Sequence, residues 1–142
     1  LSWIVNTAKY DADPEVYERF LRAANKGLVY SATNIRAAAL LGLKEFPAIL
    51  TGTTLEARLP RALLELRAWV RTATPTTGAP VSWNRLTDIP ASDWKKSQDY
   101  TKAAGTIVTS LDLENFLDRS HLRRANTFDR AAIVAAANKQ PK

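Results

Sequence analysis

Residues 119–130, RSHLRRANTFDR, place four arginines (Arg119, Arg123, Arg124 and Arg130) and the chain's single histidine, His121, within twelve positions. Two chemistries draw on such a cluster: an imidazole can shuttle protons, and guanidinium groups grip phosphate oxygens with a planar fork of donors. With three arginines close to it in sequence, His121 reads as an exposed or phosphate-contacting side chain rather than a catalytic base. Arg119, Arg123 and Arg124 stand at i, i+4 and i+5, so they share one face if the stretch is helical. Such a stripe can follow a phosphate backbone. The simpler alternative is a solvated basic surface that balances Asp112, Glu114 or Asp118, since exposed charge runs often do no more than that.

Other catalytic signatures are missing from the sequence. It has no Gly-rich phosphate loop, no GxGxxG, no HExxH and no GxSxG. Asp112 and Glu114 lie two positions apart and do not face each other on a helix. No His, Asp or Glu grouping has metal-ligand spacing. Without cysteine there is no disulfide, thiolate metal site or cysteine nucleophile. The expectation is therefore a protein that is not an enzyme and uses no cofactor and no metal.

Charge supplies the positive lead. Twenty Lys and Arg against fourteen Asp and Glu give +6, with a pI near 9.8. The excess is uneven: residues 1–52 carry +1, 53–91 carry +2, 92–118 carry −2 and 119–142 carry +5. A second group of cations, Arg58, Arg61, Arg67 and Arg71, flanks an apolar arc formed by Leu59, Ala62, Leu63, Leu66, Trp69 and Val70 at helical spacing. Candidate nucleic-acid-binding residues are thus Arg58, Arg61, Arg67, Arg71, Arg119, Arg123, Arg124 and Arg130. Trp83 and Trp94, in or beside a Pro-rich stretch, are candidates for stacking on bases. Trp69 is assigned to the core.

These side chains need helices to position them. Asp13-Pro14-Glu15 is a helix start, and Gly27 is expected to close that helix. A second helix is expected from about Thr33 to before Pro47. Thr53 and Glu56 have capping-box spacing, but Pro60 predicts a short turn there and a main helix from Pro60 to about Arg71. TATPTTGAP, 72–80, reads as an exposed loop. Ser92 is expected to cap a helix running to Gly105, TIVT (106–109) can form an extended piece, and Ser110 can cap a helix carrying Leu113, Phe116 and Leu117. Asn126 or Thr127 can cap FDRAAIVAAANK, whose alanines permit close approach of another surface. The fold class is all-α, a single domain over 1–142 built as a bundle of about six short helices with irregular terminal arms. No apolar run reaches the roughly 18 residues of a membrane span. LSWIVNTAKYDADP lacks the features of a signal peptide, and the absence of methionine suggests a processed or trimmed chain.

Residues 52–100 resemble the coat proteins of flexible filamentous plant viruses of the potexvirus kind. GTTL (52–55) is similar to the family's small-hydroxyl-Leu helix start, WVRT (69–72) to its Trp with a nearby Arg-Thr, and APVSW (79–83) to its Ala-Pro-x-x-Trp. Pro90, Trp94, Asp99 and Tyr100 follow the order of its proline and aromatic-Asp-aromatic signature. Here that signature reads DWKKSQDY, and Glu56 stands where the family has a basic residue. The resemblance implies an α-helical subunit of a helical filament, single-stranded RNA in a basic groove, and terminal arms clasping neighbours. It also implies a buried Asp99 paired with Arg61 or Arg67.

The expected function is a structural protein, a coat or nucleocapsid subunit that binds a phosphate backbone without sequence specificity. Single-stranded RNA is favoured as partner, with DNA as the second choice, together with self-association into a homo-oligomer and no membrane. A virion or the cytoplasm is the expected location. The alternatives are a protein-binding adaptor or virion component whose basic tail meets an acidic partner, and a helix-turn-helix DNA-binding regulator.

Overall fold

The computed structural model describes residues 3, 5–115 and 117–142. Helix α1 (Thr7–Ala12) starts at Asn6, whose side chain accepts from the Lys9 N–H. Helix α2 (Pro14–Thr33) starts as its residues dictate: Asp13 accepts from the Val16 N–H at 3.3 Å, Pro14 takes the first position and Glu15 the positive end of the dipole. It does not stop at Gly27. A helical glycine costs about 1 kcal/mol, whereas the Leu28 and Val29 side chains that follow are both fully buried and each contribute about 2 kcal/mol. Burial wins, and the helix runs on to Thr33.

Helix α3 (Ile35–Glu45) is capped by Asn34 rather than begun at Thr33, with the Asn34 Oδ1 accepting from the Ala37 N–H at 3.0 Å. Helix α4 (Leu55–Ala73) contains Pro60 instead of starting there. Thr54 caps it, accepting from the Ala57 N–H. The carbonyl deprived by Pro60 belongs to Glu56, in an exposed first turn where solvent can serve it, while Leu55 and Leu59 are drawn onto α3. The loop expected at 72–80 is consequently shorter at its start. Helix α5 (Ala91–Ala103) follows Pro90 without a side-chain cap, so Ser92 does not cap it. Residues 106–109 form no regular structure, and the helix expected from Ser110 shrinks to one 3-10 turn at Leu113–Asn115. Phe116, which was expected to belong to it, lies outside the described residues. Helix α6 is a single turn (Leu122–Ala125), and α7 (Arg130–Asn138) is capped by Asp129 rather than by Asn126 or Thr127. Short 3-10 turns occupy Pro47–Leu50 and Pro80–Ser82.

The fold is all-α, with no strand among the described residues, and two of its helices span 20 and 19 residues. Two apolar clusters hold it. One joins α3 to α4 through Ala39, Leu43 and Leu59, with Leu40, Leu50, Leu55, Leu63 and Leu66 around them. The other sets Leu28 and Val29 of α2 against Trp83 and Leu86, with Trp69, Ala73, Phe128, Ile133 and Val134 packed alongside. Three buried asparagines tie the last part of the chain to the first. Asn25 donates to the Ala125 carbonyl at 3.2 Å, Asn34 to that of Ala137 at 3.0 Å, and Asn126 exchanges bonds with both the N–H and the C=O of Leu86 at 2.9 and 3.1 Å. These bonds run α2 parallel to α6 and α7 and bring the ends of α2 and α7 together. No helix among the described residues is long and apolar enough to cross a membrane.

Candidate nucleic-acid interface

The eight candidate arginines do not form one surface. Residues 119–130 are not one helix: Arg119 precedes α6 and Arg130 opens α7, so the expected stripe is broken. Arg119 instead reaches back across the chain. Its Nε donates to Asp88 at 3.1 Å, its Nη1 to Glu114 at 2.5 Å and its Nη2 to the Ile89 carbonyl at 2.8 Å. Arg130 donates to the carbonyls of Trp83 and Asn126, the latter at 2.6 Å, and lies 4.4 Å over the Phe128 ring. With Asn126 holding Leu86, this segment clamps residues 83–89 at four points. Asp88, buried at the centre, is bound by Arg119 and by Arg85.

That clamp explains an unusual backbone. Thr87 has φ +63°, a left-handed conformation that β-branched residues rarely adopt, and it stands between Leu86 and Asp88, both fixed. Strain of this kind persists only where the surroundings over-determine it. Two of the four arginines at 119–130, Arg119 and Arg130, thus serve the chain's own loop.

The remaining candidates divide by partner. Arg124 shares Glu18 at 3.4 Å but is 68% exposed, and Arg22 binds the same buried carboxylate at 2.5 Å. Arg58 and Arg61 both bond Glu65, at 2.7 and 2.8 Å, and Arg61 first, Arg58 second, hold that carboxyl below its ordinary range. Arg67, Arg71 and Arg123 are exposed and make no ion pair among the described residues. Trp83 is not available for base stacking. It is buried, and its indole N–H donates to the carbonyls of Thr77 and Gly78, with Gly78 at φ +82° folding the loop beneath it. Trp94 is half-buried and donates to the Leu111 carbonyl. Asp99 is exposed and pairs with Lys95 at 2.6 Å rather than being buried against Arg61 or Arg67.

A different feature lies at the start of α2, a cleft of about 910 Å³ between the N-terminal segment, α2 and residues 87–122. Trp3, Val5, Val16 and Phe20 line it while remaining 43–49% exposed, more apolar surface than isolated surface side chains present. Trp3 meets Phe20 edge-on at 5.0 Å. A polar chain closes one wall. The Tyr10 hydroxyl donates to Asp118 and accepts from His121 Nε2 at 2.6 Å, while His121 Nδ1 stands 3.7 Å from Glu18. The Tyr10 bond, and then the Ser120 N–H, hold the Asp118 carboxyl below the usual carboxylate range. Burial first, and the bond to Asp118 second, raise Tyr10 above an ordinary phenol. Both shifts favour a protonated hydroxyl facing a charged carboxylate. Among the described residues no three His, Asp or Glu side chains converge as metal ligands.

The sequence gives no sign of the roles of Tyr10, Glu18, Asn25 and Asn34, and it offers Asn126 only as a helix cap, because each bonds partners 40 or more positions away. No family model, curated protein or solved structure matches the chain.

Proposed function

We propose that this protein is a non-enzymatic structural subunit that binds a nucleic-acid backbone without base specificity and assembles with copies of itself, as a coat or nucleocapsid protein does. The observation that carries the proposal is a group of exposed cations, Arg67, Arg71 and Arg123 among them, that make no ion pair among the described residues, in a chain of net charge +6. Phosphate neutralisation by such groups supplies most sequence-independent affinity for nucleic acids. Single-stranded RNA is the favoured partner, in keeping with the resemblance of residues 52–100. The exposed apolar cleft supports self-association, since patches of this kind mark contact surfaces.

Negative-stain electron microscopy of the purified protein with and without single-stranded RNA tests both halves. Filaments or rings are the expected result, and uniformly small particles in both conditions would remove the coat reading. The cleft also favours a second reading, a protein-binding adaptor. Under that reading a bound protein partner stays bound in excess nucleic acid, which separates the two.

A further inference from the structure

The carboxylates are distributed so that three long stretches have none: 19–44, 66–87 and 130–142. Those stretches contain eleven of the twenty cations. In sequence they are far apart, and the fold brings part of each to one place. Asn34, at the junction of α2 and α3, donates to the carbonyls of Ala137, Gln140 and Pro141, which sets the end of α7 beside the start of α3. Trp69 and Ala73, at the end of α4, pack against the cluster that contains Leu28 and Val29, near the end of α2. The end of α2, the start of α3 and the ends of α4 and α7 therefore form one end of the bundle. Arg36, Arg67, Arg71, Lys139 and Lys142 stand there, all exposed, with no ion pair among the described residues.

Intramolecular electrostatics accounts for only part of this. Arg71 and Lys139 lie at helix C-termini, where a cation offsets the negative end of the dipole. Arg36 is the opposite case: it occupies the first turn of α3, where the dipole disfavours a cation, and that turn contains no acidic residue to compensate. No carboxylate among the described residues pairs with Arg36, and an external anion would offset its charge. Arg67 and Arg71 are one helical repeat apart, about 6 Å along α4, so both can engage one extended backbone.

We infer that this end of the bundle, rather than the arginine-dense segment 119–130, is the surface that takes the phosphate backbone of a single-stranded nucleic acid, with Arg36, Arg67, Arg71, Lys139 and Lys142 as its contacts. The inference rests on the nucleic-acid reading above and adds the location of the site and three cations outside the candidate set, while it releases Arg58, Arg61, Arg119, Arg123, Arg124 and Arg130 from it.

The test measures the affinity of the full chain for a 20-nucleotide oligouridylate between 50 and 200 mM salt. Five contacts to a single strand predict a log–log salt slope of about −3.5, equivalent to a loss of about 100-fold across that range. The triple variant R36Q/R67Q/R71Q reduces the slope by about 2, so that its affinity falls only about 7-fold over the same interval. The pair K139Q/K142Q, at the chain end where substitution leaves the helices intact, reduces it by about 1.4. R123Q/R124Q leaves the slope near the wild-type value. Should R123Q/R124Q flatten the slope while the other two variants keep it, this location is wrong and the nucleic-acid reading stands. A wild-type chain that does not bind the oligonucleotide at 50 mM salt removes both.

Discussion

The α3–α4 hairpin and the seam between α2 and the last third of the chain are two ways of holding helices together. The hairpin joins neighbours in sequence and relies on leucines: Leu43 and Leu59 are buried between helices separated by nine residues. The seam joins residues 30 to 107 positions apart and combines apolar burial with polar bonds of fixed direction, supplied by Asn25, Asn34, Asn126, Arg119 and Arg130. Apolar packing is non-directional and tolerates adjustment. A buried amide that meets both backbone polar groups of one residue, as Asn126 does at Leu86, admits a single register. The seam is thus the part of the molecule that specifies one geometry, and it is where the chain accommodates the left-handed Thr87.

The largest effect should follow from Trp83→Ala. It deletes the widest side chain of the seam cluster together with an indole N–H bonded to the 77–78 loop, and a loss of about 4 kcal/mol in chemical unfolding is expected. Leu59→Ala in the hairpin should cost about 3 kcal/mol. A Leu59 variant clearly less stable than the Trp83 variant would reverse the order of the two regions. Asn126→Ala comes next, at about 2 kcal/mol, because it leaves the buried N–H of Leu86 without its partner and the C=O of Leu86 with only the Thr87 hydroxyl. The hairpin has no counterpart to that substitution. A cost under about 0.5 kcal/mol would mean that the seam, too, is held by apolar contact alone.

Tyr10→Phe probes the same kind of directional bond at the molecule's surface, and its cost near neutral pH should be smaller, about 1 kcal/mol, because Asp118 is exposed to screening. The pH dependence carries the sharper signal. Asp118 has a folded-state value depressed below its ordinary 3.8, so its contribution is present above that pH and disappears as the pH falls through the depressed value. Tyr10 is raised above 10.0, so its contribution is present below that pH and disappears as the pH rises through the raised value. Wild type and the Phe variant should therefore differ most between pH 5 and 9 and converge at both extremes. Unfolding curves that stay parallel into acid would show that the Tyr10–Asp118 bond does not depress the carboxyl.

The hairpin was the more legible region for the same physical reason. Its helices follow from local spacing: the arc of Leu59, Leu63, Leu66 and Trp69 identifies α4, and only its start was misplaced, because Pro60 was weighed without the burial of Leu55 and Leu59 that carries the helix across it. The start of α2 was equally readable from Asp13-Pro14-Glu15. The seam was not, since nothing local distinguishes an asparagine that bonds a carbonyl 100 residues away from one that faces water. The candidate site suffered likewise. The charge of residues 119–130 was plain, but whether Arg119 meets solvent or Asp88 depends on a loop 30 positions earlier. The carboxylate-free stretches were visible in the sequence, and what could not be read was that the fold brings a part of each to one place.

The smallest effects distinguish backbone from packing. Gly27 lies in α2, the helix that the seam holds but on an exposed face of it, and Gly42 in α3, in the hairpin; a Cβ added at either meets nothing within 4 Å. Both residues have ordinary helical backbone, so Gly27→Ala and Gly42→Ala should each raise stability by about 0.5 to 1 kcal/mol, through the lower entropy of the unfolded chain and better helix propensity. The contrast between the two regions predicts equal gains here, because neither substitution touches the contacts in which they differ. A gain at Gly42 with a loss at Gly27, measured by thermal unfolding of the two variants side by side, would show that the seam extends to the outer face of α2, beyond the residues that Asn25, Asn34 and Asn126 tie down.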